Sequence, residues 1–119
     1  MKKVLVIGAS ENSSRYSYLA IEKLRKYNYP VIAIGGKKGK VNDVDIITEH
    51  PALTNIDTVT LYLNKEKQKE YYEYILSLHP KRIIFNPGTE NDAFAEIAKT
   101  NGIKALEACT LVMLNTGQF

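Results

Sequence analysis

Along this chain, stretches that are apolar throughout alternate with stretches whose apolar residues return every three or four positions. Residues 3–8, KVLVIG, are rich in valine and isoleucine, the composition of a strand covered on both faces. Over 16–27, Tyr16, Leu19, Ala20, Leu24 and Tyr27 recur at helical spacing with lysines and an arginine between them. Asn28-Tyr29-Pro30 ends that helix, because proline disfavours helical backbone at the residue before it. VIAI at 31–34 forms a second strand, stopped by Gly35-Gly36, and VDII at 44–47 a short third one. After a loop or brief helix through HPAL, DTVTLYL at 57–63 forms a fourth strand. An amphipathic helix over 65–78 then places Tyr71, Ile75 and Leu78 on one face. KRIIFN at 81–86 is the next strand and runs into Pro87-Gly88; Thr89 is the expected cap of a helix over 90–101, closed by Gly102. IKALEA at 103–108 makes a last strand and CTLVMLNTG at 109–117 a short apolar helix.

Strands and helices thus alternate with no linker and no change of composition, which predicts one domain over residues 1–119. The fold class expected is α/β: a Rossmann-like, three-layer, open and mostly parallel sheet of five to six strands with helices on both faces. Ligands of such sheets bind beyond the carboxyl ends of the strands, where the strand order switches. The loops at 8–15, 35–40, 63–65, 86–91 and 108–110 are therefore the places to look.

Charge narrows the partners. Sixteen basic against thirteen acidic side chains leave only +3 at pH 7, and the basic residues form one short cluster, KKGK at Lys37 to Lys40. That cluster is too small to hold a duplex by counterion release, so no nucleic acid is expected, but it suits one or two phosphates. A single cysteine, Cys109, excludes an internal disulfide and fits a reducing, cytoplasmic setting. The apolar run at the N-terminus is too short for a signal segment, and no stretch has the length of a membrane span. The expected partner is a small nucleotide-like molecule, without nucleic acid or membrane.

The first strand leads through Gly8-Ala9-Ser10-Glu11-Asn12-Ser13 into a helix, the context in which a helix N-terminus binds phosphate. Gly8 makes the tight turn. Serines stand where a dinucleotide fingerprint has its second and third glycines, and Asn12, Ser14 and Arg15 add polar groups. Hydroxyls and a guanidinium suit phosphate; equally, these serines are common turn and cap residues, and at least one of Ser10, Ser13 and Ser14 is expected to be a cap. The end of the second strand sharpens the choice. An NAD site places an acid there for the ribose hydroxyls, whereas this chain has IGGKKGK. Lysines in place of an acid disfavour NAD and suit a phosphorylated adenosine ribose, as in NADP or coenzyme A; the alternative is a solvated lysine turn.

With V-x-V-I-G-A-S followed by R-Y-S-Y, a glycine-bearing loop after VIAI, the DTVTLYL strand, FNPGTEN and EACTLVMLNTG, the chain resembles the small stand-alone CoA-binding domains over nearly its whole length. That family is related to the CoA-binding domain of the succinyl-CoA synthetase alpha subunit. The resemblance implies a Rossmann-like domain that binds coenzyme A or an acyl-CoA across the strand ends. It implies Gly8, Ala9 and Ser10 against the phosphates, Arg15 as the cationic contact, and Tyr16 and Ser17 from the same loop. Gly35, Gly36, Lys37 and Lys38 fall at the ribose-phosphate end, although many relatives carry a V-N-P-like segment where this chain has I-G-G-K. Asn64 closes the fourth strand, and Asn86, Pro87 and Gly88 match the loop that flanks the ligand. Read structurally, Pro87-Gly88 is a turn and Thr89 a cap; both roles are compatible.

Nothing in the sequence forms a catalytic constellation. His50 and His79 each precede a proline and lack a partner at catalytic spacing, and no cluster has metal-ligand spacing. Cys109 stands at the junction of the last strand and helix, where a thiol is either activated or simply buried; burial is expected. Three functions stay open. They are a coenzyme A or acyl-CoA binding module without catalysis of its own, an NADP-binding reductase or its subunit, and an interaction module that keeps the fold without the ligand. The apolar tail packs on its own core or on another subunit, which leaves room for a homo-oligomer or a larger acyl-CoA enzyme as partner.

Overall fold

A computed structural model describes residues 1–119. Seven strands form one sheet in the order β3-β4-β2-β1-β5-β6-β7: β1 (Val4–Ile7), β2 (Val31–Ile34), β3 (Gly39–Val41), β4 (Val44–Ile47), β5 (Thr58–Leu61), β6 (Arg82–Phe85) and β7 (Lys104–Glu107). All neighbours are parallel except β3, which lies antiparallel on β4 at the edge. The helices are α1 (Tyr16–Lys26), α2 (Lys65–Gln68), α3 (Tyr72–Leu78), α4 (Asp92–Thr100) and α5 (Thr110–Asn115), with a 3-10 turn over Lys69–Tyr71.

The central strands β1, β5 and β6 are buried along almost their whole length because helices cover them on both sides. Leu5, Ile7, Val59, Leu61, Ile83 and Phe85 pack with Tyr71, Ile75 and Leu78 of the 3-10 turn and α3 and with Phe94 and Ala98 of α4. Val4, Val6, Ala33 and Ile84 pack against Ile21 and Leu24 of α1 and Leu114 of α5 on the other side. Alternate residues of one strand thus serve two cores. From β1 the chain moves one way to β2 and β4, then returns across to β5 on the other side of β1. The switch in strand order therefore opens a crevice beyond the carboxyl ends of β1 and its neighbours.

Several expectations are corrected. The sheet has seven strands because Gly39-Lys40-Val41 pairs with β4 across the two-residue Asn42-Asp43 turn, Asn42 taking a φ of 52°. A run of glycine and lysine carries no strand pattern; its partner exists only in the folded chain. The buried face of α1 is Ser17, Ala20, Ile21 and Leu24, whereas Tyr16, Leu19 and Tyr27 are 71%, 39% and 43% exposed. The buried face is turned by about one position, with Ser17 only 3% exposed and Tyr16 turned to solvent. The helix expected over 90–101 starts at Asp92, and its cap is Asn91, whose Oδ1 accepts from Phe94 N at 3.0 Å; Thr89 instead donates to the Asn86 carbonyl. The helix over 65–78 is broken by the 3-10 turn, yet Tyr71, Ile75 and Leu78 still share the core. The C-terminal tail packs on its own core: Phe119 is buried, with the Arg82 guanidinium 4.6 Å from its ring centre.

Candidate functional site

The carboxyl ends of the strands frame a cleft of ≈ 830 Å³, in the upper part of the usual range for small-molecule sites. Gly8, Ala9, Ser10, Arg15, Tyr16 and Ser17 line it from the β1–α1 turn. Gly35, Gly36, Lys37 and Lys38 line it from the loop after β2, Asn64 from the start of α2, and Pro87 and Gly88 from the loop after β6. Four segments far apart in sequence converge because β2, β1, β5 and β6 are neighbours in the sheet.

The turn is built for close backbone approach. Gly8 has φ +92°, and a Cβ there would lie 2.8 Å from the Tyr62 carbonyl; only glycine satisfies both constraints. A Cβ on Gly35 would lie 2.3 Å from the Ala9 carbonyl oxygen, so the ends of β1 and β2 touch through bare backbone. The N–H groups of Gly8 and Ala9 both donate to the Ile34 carbonyl, at 2.9 and 3.0 Å. They are committed to the fold. The N–H groups of Ser10, Glu11, Tyr16 and Ser17 find no acceptor within the protein, and they line the cleft.

No serine caps α1. Arg15 occupies the cap position with no side-chain cap bond. Ser10 Oγ accepts from Asn12 N at 3.1 Å, while Asn12 Oδ1 accepts from Ser14 N and Ser14 Oγ at 3.0 and 2.7 Å. The polar residues of the turn therefore stiffen the loop and leave the first N–H groups of an eleven-residue helix open, the positive end of its dipole facing the cleft.

Four cationic side chains, Arg15, Lys37, Lys38 and Lys67, line the cleft against two carboxylates, Glu11 and Glu70. Arg15, Lys37 and Lys67 have no carboxylate within ion-pair distance, and Lys38 has only Glu49 at 4.0 Å, both exposed. Tyr62 lines the cleft at the end of β5. Burial pushes its phenol up to about 12, partly countered by the hydroxyls of Thr60 and Thr110. The hydroxyl sits against the side chains of Thr60 and Thr110, both fully buried.

Asn86 does not line the cleft. It is 2% exposed; its Nδ2 donates to Thr60 Oγ1 at 2.7 Å and the Leu61 carbonyl at 2.9 Å, and its Oδ1 accepts from Thr110 N at 2.9 Å. With every polar group of its amide used, it ties β5 and β6 to the start of α5 and places Pro87-Gly88 at the rim. Asn64 does both jobs, lining the cleft while its Oδ1 accepts from Lys67 N at 3.0 Å to cap α2. Cys109 is half-buried, short of the full burial expected, and does not line the cleft. His50 stacks on Tyr71 and Tyr74 at the surface, and His79 is the left-handed residue ending α3.

Sequence reasoning missed Glu11, Tyr62, Leu63, Lys67, Glu70, Tyr71 and Thr89 among the lining residues. Lys67 and Tyr71 are four residues apart just after a strand's carboxyl end, a spacing that places both on one helix face toward the crevice. Glu11 stands inside the turn itself, and only its position in the sequence could have pointed to it.

The sequence profile of the family described as "CoA binding domain" matches residues 2–115, and the chain belongs to that family. A solved structure described only as that of an uncharacterized protein is 51% identical, covers 100% of this chain and 98% of its own, and superposes with a TM-score of 0.97. A Thermus thermophilus protein, cell-free ID.343, is 17% identical over 99% of this chain and 90% of its own, with a TM-score of 0.86. A hypothetical protein from Pyrococcus horikoshii OT3 is 20% identical over 97% of this chain and 82% of its own, with a TM-score of 0.87. These last two share the fold. No curated protein matches the chain.

Proposed function

Starting from membership of the CoA-binding domain family, we propose that this protein binds coenzyme A or an acyl-CoA in the cleft and acts as a binding module without chemistry of its own. The observation that carries the proposal is the open N-terminus of α1. Its free N–H groups, the dipole and Arg15 converge where a diphosphate has most to gain. Lys37 and Lys38, at the end of β2, are the cations assigned to the phosphate on the adenosine ribose. The pantetheine arm runs on this reading past Tyr62 and Leu63 toward Asn64 and Pro87-Gly88, across the width of the cleft. No pair of side chains in the cleft is arranged as nucleophile and base, which supports a holding role over a reacting one. A cytoplasmic setting belongs to the same reading; no helix is long and apolar enough to cross a membrane.

The lysine pair favours a second reading, NADP, since a 2′-phosphate and a 3′-phosphate both attract it. Calorimetric titration with CoA, acetyl-CoA, dephospho-CoA, NADP and NAD in parallel separates the two. Saturable binding of CoA or acetyl-CoA, weaker binding of dephospho-CoA and silence from NAD is the expected result. Tighter NADP binding puts a reductase role first. Silence from all five overturns both ligand readings and leaves an interaction module, as a homo-oligomer or on a larger acyl-CoA enzyme.

A further inference from the structure

Glu11 poses an electrostatic problem: a carboxylate stands in the β1–α1 turn itself, beside Arg15 and the free N–H groups of the cleft. Its geometry supplies a reason. The side chain leaves the β1–α1 turn and accepts a hydrogen bond from Lys40 N at 3.0 Å, twenty-nine residues away. It gets there because position 39 has no side chain: a Cβ on Gly39 would lie 2.7 Å from Glu11 Cδ. β3 is the outer strand of the sheet and pairs only with β4, so Glu11 takes an edge donor that no strand takes. Lys37 and Lys38 sit in a short loop fixed at both ends. One end is Gly35, packed on the Ala9 carbonyl; the other is Gly39-Lys40, paired with β4 and tied to the β1–α1 turn by Glu11.

We propose that Glu11 is a positioning residue, a latch that ties the lysine loop to the phosphate turn and thereby sets the discrimination between phosphorylated and unphosphorylated adenosine ribose. The proposal rests on the coenzyme A reading above. A lysine that must be ordered on binding loses part of its gain to conformational entropy, and a loop anchored at both ends has already lost that freedom. The latch acts on the ribose phosphate through Lys37 and Lys38 and leaves the diphosphate contacts at α1 in place. Its own negative charge weakens the binding of every anion a little, which separates a latch from a mere local charge.

Wild type, Glu11→Ala and Glu11→Gln are titrated with CoA and with dephospho-CoA, and exchange of the Lys40 amide proton is followed by NMR in the ligand-free proteins. Glu11→Ala is expected to weaken CoA by about 3- to 10-fold, the loss of one exposed charge-assisted hydrogen bond, while dephospho-CoA changes by less than about 2-fold. Glu11→Gln keeps an acceptor oxygen without the charge and is expected to retain most of the wild-type discrimination. The Lys40 amide is expected to exchange faster in Glu11→Ala than in the other two. Equal tightening of both ligands in both variants would mean that Glu11 acts only as a charge, and would overturn the latch. Unchanged Lys40 exchange in Glu11→Ala would overturn it as well. Should the wild type bind neither ligand, the coenzyme A reading and the selectivity role fall together, whereas slow Lys40 exchange lost only in Glu11→Ala would still uphold the tether itself.

Discussion

Gly35 and Gly36 are adjacent in sequence and both line the cleft, yet their environments differ sharply. A Cβ on Gly35 would lie 2.3 Å from the Ala9 carbonyl oxygen and 3.0 Å from Ile46 Cγ2, whereas one on Gly36 would meet nothing within 4 Å. The first clash is with backbone, about an ångström inside van der Waals contact, and cannot be relieved by turning a side chain. Relief requires the turn to move away from β2, against the bonds from Gly8 N and Ala9 N to the Ile34 carbonyl and from Gly35 N to the Ile47 carbonyl. Overpacking of this kind costs about 1–3 kcal/mol, and weakening one or two backbone hydrogen bonds adds about 1 kcal/mol, so Gly35→Ala is expected to lose about 2–4 kcal/mol. At roughly 3–6 °C per kcal/mol for a domain of this size, the melting temperature should fall by about 6–24 °C. Gly36→Ala should stay within about 0.5 kcal/mol of wild type. Urea unfolding of the three proteins, with midpoints compared at common slope, measures the difference without any ligand. A Gly35→Ala protein that unfolds at the same midpoint as Gly36→Ala would refute the claim that β1 and β2 meet there through backbone alone.

Arg15→Ala should weaken CoA by about 1.5–3 kcal/mol, roughly 10- to 150-fold, if the guanidinium bonds a phosphate; titration giving unchanged affinity would remove it from the site. Asn86→Ala should destabilise the fold by about 2–4 kcal/mol, since it deletes bonds to Thr60, Leu61 and Thr110 at once, and denaturation with wild-type stability would count against that role. Tyr62 has a folded pKa of about 12 against about 10 for a free tyrosine, so its contribution is present below pH 10 and is lost as pH rises toward 12. Stability measured across that window should lose part of its slope in Tyr62→Phe, and an unchanged slope would show that the phenol is not the cause. Asp43, held below the ordinary carboxylate range by its hydrogen bond to Arg25, stabilises above about pH 4 and loses that contribution as pH falls. Asp43→Asn should flatten the acid limb slightly, because the Asp43 carboxylate is exposed to solvent, read by the same unfolding series.

Much of this molecule is determined by local pattern. VLVI, VIAI, VDII, TVTL, RIIF and KALE lie where runs of apolar or alternating residues announce strands, and the loops at their carboxyl ends are where the cleft opens. A buried parallel strand has to be apolar on both faces, and the chain direction of such strands settles which loops share an end of the sheet. The glycines at 8, 35 and 36, the lysines after them and Arg15 were therefore legible as neighbours at one end of the sheet. What tertiary structure alone decided are the relations between segments. Gly39-Lys40-Val41 is a strand only because β4 offers it an edge. Asn86 belongs to the interior because Thr60, Leu61 and Thr110 consume its amide, although its neighbours Pro87 and Gly88 reach the cleft. Gly8 and Ala9 give their N–H groups to Ile34, which leaves the free donors of the turn to Ser10, Glu11 and the first turn of α1. Glu11 finds its partner across twenty-nine residues of chain. Hydrophobic period is a property of neighbours in sequence, but a hydrogen bond is assigned by distance in space, and only the folded sheet brings those groups together.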